Sequence, residues 1–444
     1  MMAGGFLEPF LADAGQASRS QAAWLTEART NALQQLARDG MPGPRSEAWK
    51  YSSLRALGQR QYQRGDAEAN SRAIDKQLLA LPGVDGPRLV FVNGAFRADL
   101  STTRTIKGLQ LTALSSVLES DPDSLQPFLS RSFDDPAHVF ARLNSALASD
   151  GPVIRVAAGV AVEPLVHLIF VGAAASTSLA WQLRSIIEIA EGGSLRLVEH
   201  HVGEAGQSHF GNVLSQIAVR ANARLDLLQV QNSPETASLT RRTDVVLDAD
   251  AHLELRSIEA GAQWMRHDLV VNLSGDRSRF VSRGVFALRG RQHADTRLDV
   301  RHSARDSACD ILWRGVADQR SRGIFHGAIT VEPGADGSDA LLSNKNLLLS
   351  AQAEIDTQPV LEIYADEVKA AHGATVGQLD EHALFYLRTR GLSADEARSL
   401  LTLAFCRVAF DSVENEALRE HLDVLLLERL PSMEQEPTTD KASA

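Results

Sequence analysis

The stretch LSQIAVRANARLDLLQVQN, Leu214 to Asn232, decides the fold. Two runs of alternating Leu, Ile and Val residues meet at Ala221-Asn222-Ala223, with no amphipathic helix between them. Alternation at period two puts one face of each run in a core and the other outside, which is strand behaviour. The same device recurs in DVVLDADAHLELRSIEA, Asp244 to Ala260, and in SIIEIAEGGSLRLVEHHVG, Ser185 to Gly203. In each, a small or polar corner opens directly into a new strand.

Working outward, strand follows strand from Asp150-Gly151-Pro152 to about Ala371. More than two hundred residues of short strands without helical crossovers exclude a Rossmann or TIM design. The corners return every ~20–30 residues, as stacked rungs do. No WD or kelch signature points to a propeller. A β-solenoid is the favoured architecture, and a large sandwich is second. A solenoid needs caps on its terminal rungs.

Both flanks read as helical. On the amino-terminal side Trp24, Leu25, Ala28, Ala32, Leu33 and Leu36 form one apolar stripe, ended by Gly40 and Pro42. LVFVNGAF, Leu89 to Phe96, reads as a hairpin around Asn93-Gly94, and a helical region is expected from about Leu111 to Leu147. On the carboxy-terminal side a helix begins near Asp380-Glu381 and ends at Gly391. Ser393 to Glu396 is a capping box, followed by an apolar stripe of Ala397, Leu400, Leu401, Ala404, Phe405 and Val408. Ala417 to Leu430 is a third amphipathic stretch. The expected organisation is a mostly helical domain over 1–151, a strand core over 152–374, a helical domain over 375–431 and a disordered tail over 432–444.

Composition narrows the function. The chain has 444 residues, 44% hydrophobic and 23% charged, with a net charge of −11. That charge repels phosphate backbones and argues against nucleic acid. No run approaches the ~20 apolar residues of a membrane span, and MMAGGFLEPFLADAG lacks the pattern of a secretory signal. A cytoplasmic protein is expected. Two cysteines, Cys309 and Cys406, cannot supply the four thiolates of a closed metal site, and both read as small core residues.

Catalytic signatures are missing. There is no HExxH, GxSxG, Walker lysine motif or GxGxxG. His200, His201, His252, His267, His293, His302 and His326 show no zinc spacing and read as surface or hydrogen-bonded rings. Asp306 with Asp310, or Asp295 with Asp299, are the carboxylates an intracellular solenoid carbohydrate enzyme would use. Solvated strand faces are the simpler reading of them. His372 differs by address, at the joint between the last strand and the first carboxy-terminal helix, where a sheet edge needs covering.

Three segments carry a family resemblance. Arg45-Ser-Glu-Ala-Trp-Lys-Tyr-Ser52, DEVKAAHGATVGQLD (Asp366 to Asp380) and YLRTRGLSADEARSLL (Tyr386 to Leu401) resemble the SufD family of the SUF iron–sulfur assembly system, within the SufB/SufD superfamily. The order of helical and strand regions agrees over essentially the whole chain. The resemblance implies a mainly β fold, a right-handed parallel β-helix flanked by amino- and carboxy-terminal helical domains. It implies a scaffold subunit without enzymatic activity, paired with a SufB-type homologue through the β-helix. The carboxy-terminal helices would bind a SufC-type ABC ATPase, with Tyr386, Leu387, Arg390, Gly391 and Leu392 at the contact. His372 matches a histidine at the SufB joint, as a transient iron ligand or assembly residue. The cluster would be shared with the partner, and this chain alone would bind no cofactor. Where a cysteine is expected two residues before that histidine, this chain has Ala370. A homodimer is the remaining arrangement, because solenoid edges can self-pair.

Overall fold

A computed structural model describes residues 4–12, 22–43, 45–64 and 72–430. The expected tail over 432–444 lies outside the described residues. Short strands β1 (Gln63–Arg64), β2 (Arg88–Val92), β3 (Ala95–Phe96), β4 (Leu109–Ala113) and β5 (Pro152–Val156) lead into the main array. The array runs β6 (Val166–Gly172), β7 (Leu179–Ile189), β8 (Ser194–Gly203), β9 (Phe210–Val219), β10 (Arg224–Gln231), β11 (Ser238–Leu247) and β12 (His252–Glu259). It continues through β13 (Trp264–Leu273), β14 (Arg279–Leu288), β15 (His293–His302), β16 (Ala308–Ala317), β17 (Arg322–Val331), β18 (Asp339–Leu348), β19 (Glu354–Ile363) and β20 (Lys369–Gly377).

From β6 onward, odd strands pair only with odd strands and even with even, always in parallel, within two ten-stranded sheets. Each strand stacks on the strand two before it, so one coil takes about thirty residues, as from Ser194 to Arg224. The chain is a two-sheeted β-solenoid of about eight turns.

The corners show why the opening stretch folds this way. Gly192, Asn222, Asp250, Arg277 and Asp306 all have φ between 55° and 65°. Each donates its N–H across to the next coil, Gly192 to Ala221, Asn222 to Ala249, Asp250 to Asp276 and Arg277 to Arg305. Left-handed backbone is tolerated by Gly, Asn and Asp and disfavoured by β-branched residues. Asn222→Val is therefore expected to lower unfolding free energy by ~1–2 kcal/mol, and Asn222→Gly to leave it nearly unchanged. Urea unfolding of the two variants checks this.

Stacked coils bring identical face positions into columns. Leu197, Leu227 and Leu255 form one such column, and Ile187, Ile217, Val245 and Val271 another, all inside one continuous core. The outer faces are covered by the flanks. Helices α1 (Gly4–Ala12), α2 (Ala23–Asp39) and α3 (Val139–Leu147) cover the odd-strand sheet, through Phe6, Phe140, Phe210 and Trp264. The expected helix over 111–147 is instead a strand, β4, followed by short helices and α3, because Leu109 to Ala113 pairs antiparallel with β5. The hairpin at Asn93-Gly94 forms as expected.

The Arg45–Ser52 motif clamps this flank. The Trp49 ring lies parallel to Trp264 at 6.5 Å, and the Arg266 guanidinium sits 3.8 Å above it. Ser52 donates to Asp295 at 2.6 Å and contacts His293 Nε2 at 2.9 Å.

Helices α4 (Glu381–Thr389), α5 (Ala394–Arg407) and α6 (Glu416–Arg429) follow β20. The last two pack on the outer face of the even-strand sheet, over Val198, Leu228, Val230 and Ile258. The capping box forms at Ser393 and Glu396. The apolar stripe expected on α5 is only partly buried, through Ala397 and Phe405. Ala397, Thr402 and Cys406 face inward, whereas Leu400 and Val408 are exposed. Helix α5 seats on the sheet through its narrower side, with Ala409 and Phe410 just beyond it, and presents part of its apolar stripe outward.

Beside this seam His167 and His200 stack at 5.6 Å. Burial pushes His167 down to about 3, and burial, then the neighbouring His167, holds His200 well below the usual range. The folded state keeps both rings neutral while the unfolded chain protonates near pH 6.5, so the associated stability is complete above that pH. It is lost as pH falls from 6.5 towards 3, at ~1.4 kcal/mol per pH unit per ring. Urea midpoints at pH 7 and pH 5 should separate less in His167→Gln than in the wild type.

Candidate functional site

The two ends of the solenoid differ. At the amino-terminal end β4 lies antiparallel on β5, and the β2–β3 hairpin extends the other sheet. At the far end β19 and β20 are the last strands of their sheets and pair on one side only. Their outer edges present backbone N–H and C=O groups, a template for a further strand.

His372 lies within β20 rather than at its end, because the strand continues through Gly377 and α4 starts only at Glu381. Its register partner is Leu342, and behind Leu342 the column runs Ile311, Ser282 and Leu255. Leu342 belongs to the interior core, so His372 stands on the inward face of the last coil. With no coil stacked on it among the described residues, that inward face is open and His372 is exposed. Ala370 and Ala374 occupy the same face, two residues to either side. Ala370 follows Cys309 and Ala340 in its own column.

Around the ring the last coil shows apolar groups that an inner coil would bury. Ile363 is 41% exposed and Val376 42%. Ile363 stacks on buried Val331 and Val376 on buried Asn346, which places both on the inward side. Sequence reasoning missed Ile363 and Val376, because the burial of their positions in every other coil is what makes their exposure informative.

The second feature is the α4–α5 hairpin. Gly391 takes φ 97° and turns the chain out of α4, and Leu392 N–H returns to Leu387 C=O at 3.4 Å. Arg390 donates to the Tyr386 hydroxyl at 3.1 Å, with its guanidinium 5.2 Å from the ring centre. Leu387 and Leu392 are half-buried, and Tyr386, Arg390 and Gly391 are exposed. The structure thus brings the five expected residues together at one bend. It adds Phe385, 70% exposed, and Leu400, 47% exposed. An aromatic on the outward side of a short helix was the available signal for Phe385.

Two of the four carboxylates of the carbohydrate-enzyme alternative, Asp295 and Asp310, are engaged by other side chains, and Asp299 is exposed. Asp295 is buried and bonded to Ser52 and Arg266. Asp310 pairs with Arg283, and Asp306 holds a left-handed corner. Of the histidines read as surface or hydrogen-bonded rings, several are hydrogen-bonded and enclosed. His201, His267 and His302 lie inside the solenoid, where inward strand positions bury them. His302 Nε2 meets Cys309 Sγ at 3.2 Å, and burial raises the Cys309 thiol to about 12. Burial likewise raises Cys406 to about 12, so both cysteines are core residues as expected. Among the described residues no group of three or more metal-ligating side chains converges. Nor is any described helix long and apolar enough to cross a membrane.

Comparison with known families agrees with this architecture. Residues 170–405 match the family described as SUF system FeS cluster assembly, SufBD core domain, and residues 5–168 match the SufBD protein N-terminal region. The chain belongs to the SufBD family of iron–sulfur cluster assembly proteins. Within that family it is 30% identical over 401 residues to iron–sulfur cluster assembly protein SufD of Escherichia coli K12, covering 90% of this chain and 92% of that protein. It is 25% identical to SufD of Bacillus subtilis, over 92% of this chain and 94% of that protein. SufB of the same bacterium is 24% identical, over 76% of this chain and 73% of its own length.

Proposed function

We propose that this chain is a non-catalytic scaffold subunit of a SufBCD-type complex. Its open solenoid end docks a SufB-type homologue, and its α4–α5 hairpin binds a SufC-type ATPase. His372 contributes an imidazole at the SufB joint to a nascent iron–sulfur cluster, which is the cargo of the assembly. Thiolates come from the partner, since both cysteines here are buried far up the thiol range.

One observation carries this reading. The last coil leaves two strand edges, an apolar rim and one imidazole uncovered on the face where every other coil is stacked. A neutral imidazole can ligate cluster iron. Ala370 puts a methyl group on the same face, so any thiolate beside His372 has to come from across the joint.

Co-expression with SufB- and SufC-type partners tests the proposal, through the stoichiometry of the purified complex. Phe385→Ala with Leu400→Ala is expected to weaken ATPase-partner binding by about tenfold or more, as loss of an aromatic anchor does, while SufB pairing persists. Isothermal titration of the variant against the isolated ATPase checks it. Unchanged affinity would remove the hairpin from the account.

A further inference from the structure

A charged compartment is enclosed in the middle of the solenoid. On the even sheet, inward columns run Glu199–Gln229–Ser257 and His201–Gln231–Glu259. On the odd sheet, Arg241, His267 and Thr296 form the facing column. Every one of these nine residues is at most 2% exposed. His201 Nε2 donates to Glu199 at 2.6 Å. Glu259 Oε1 accepts from Arg241 Nη2 and from His267 Nδ1, both at 2.8 Å.

All three columns turn aromatic, or make way for an aromatic, one coil later. Glu259 is followed by Phe286, Thr296 by Phe325, and Ser257 by Gly284 and then Trp313. A Cβ at Gly284 would collide with the Trp313 ring, and one at Gly315 with the Phe286 ring. The glycines therefore make room for a plug. It separates the charged compartment from the open end that carries His372.

Inside the compartment several atoms have no protein partner among the described residues. The donors are Gln229 Nε2, Gln231 Nε2 and Arg241 Nε and Nη1. The acceptors are Glu199 Oε2, Gln229 Oε1 and His267 Nε2, whose Nδ1 proton is committed to Glu259. Buried polar groups left unpaired are strongly unfavourable, and native interiors satisfy nearly all of them. A cation would meet the Arg241 guanidinium, and an anion would meet two carboxylates. A small ligand that both donates and accepts meets neither difficulty.

We infer that this compartment is a built hydration site. Enclosed water bridges the Glu199–His201 pair to the Arg241–Glu259–His267 group through Gln229 and Gln231. Buried waters usually make about three hydrogen bonds each, which matches a mixed set of donors and acceptors. The bridge joins the two carboxylate–imidazole pairs into one proton-sharing unit, closed by the Phe286, Trp313 and Phe325 rings. The inference is independent of partner docking.

The test is a crystal structure of the full chain at a resolution that places solvent. Ordered water within hydrogen-bond distance of Arg241, His267 and Gln229 is expected. A dry interior, with those atoms paired directly to one another, overturns the inference. Oxygen-17 relaxation dispersion provides a second arm in solution. Gln229→Leu should lose at least one long-lived water relative to the wild type, and an unchanged count also overturns it. If Gln229→Leu does not fold, the wild-type crystal structure decides alone.

Discussion

Replacing His372 by alanine is expected to abolish cluster formation in the reconstituted three-component complex while leaving the complex intact. The ring lies on the inward face of the last coil, and its column holds up no further coil among the described residues. Its removal should therefore cost little folding stability, in line with surface substitutions. If it ligates iron, even an outer-shell change typically lowers metal affinity by about 10–100-fold, and loss of a direct ligand should do at least as much. The readouts are the iron and sulfide content of the purified complex and its size on gel filtration. Retained iron in the alanine variant would leave His372 as an interface residue only. A collapsed complex would assign it to docking.

Val376→Asp should disconnect the SufB-type partner. Val376 is exposed here on the inward side of the last coil. Docking that covers this coil would bury the new carboxylate without a counter-ion. Removing one partner of a buried ion pair, which likewise leaves an uncompensated buried charge, is destabilising by about 3–5 kcal/mol. That is roughly a 10²–10³-fold loss or more in affinity. The fold should survive, since the residue is already exposed in the isolated chain. Analytical ultracentrifugation of the mixture checks it, with Lys369→Ala, on the outward face, as a matched control expected to bind normally.

Some of this architecture is written locally and some only in the stacked structure. Asn222 and Asp250 announce their corners, because both tolerate left-handed backbone. Arg277 and Gln319 adopt the same backbone and carry no such signal. The strand periodicity is local, so the solenoid could be read, and the Ser393–Glu396 box placed α5. Which side of α5 is buried was not local. Leu400 and Val408 make the most apolar stripe, yet the helix seats through Thr402 and Cys406, because the neighbouring sheet and α6 decide the contact.

The site divides in the same way. His372 and the bend at Gly391 were found from motifs, but the inward direction of His372 follows from pairing with Leu342, thirty residues earlier. The enclosed charges were in principle visible. Glu199 and His201 share parity with Leu195 and Leu197, which places them on the core side of their strand. Polar character outweighed that parity in the sequence reading, and only the register showed the columns they form.

The account rests on the last coil being the docking face, and backbone hydrogen exchange measures that directly. Upon addition of the SufB-type partner, amides of β19 and β20, Glu354 to Ile363 and Lys369 to Gly377, should become protected, with little change in β8 to β12. If the complex forms while these amides exchange as fast as in the free chain, the open end is not where the partner sits.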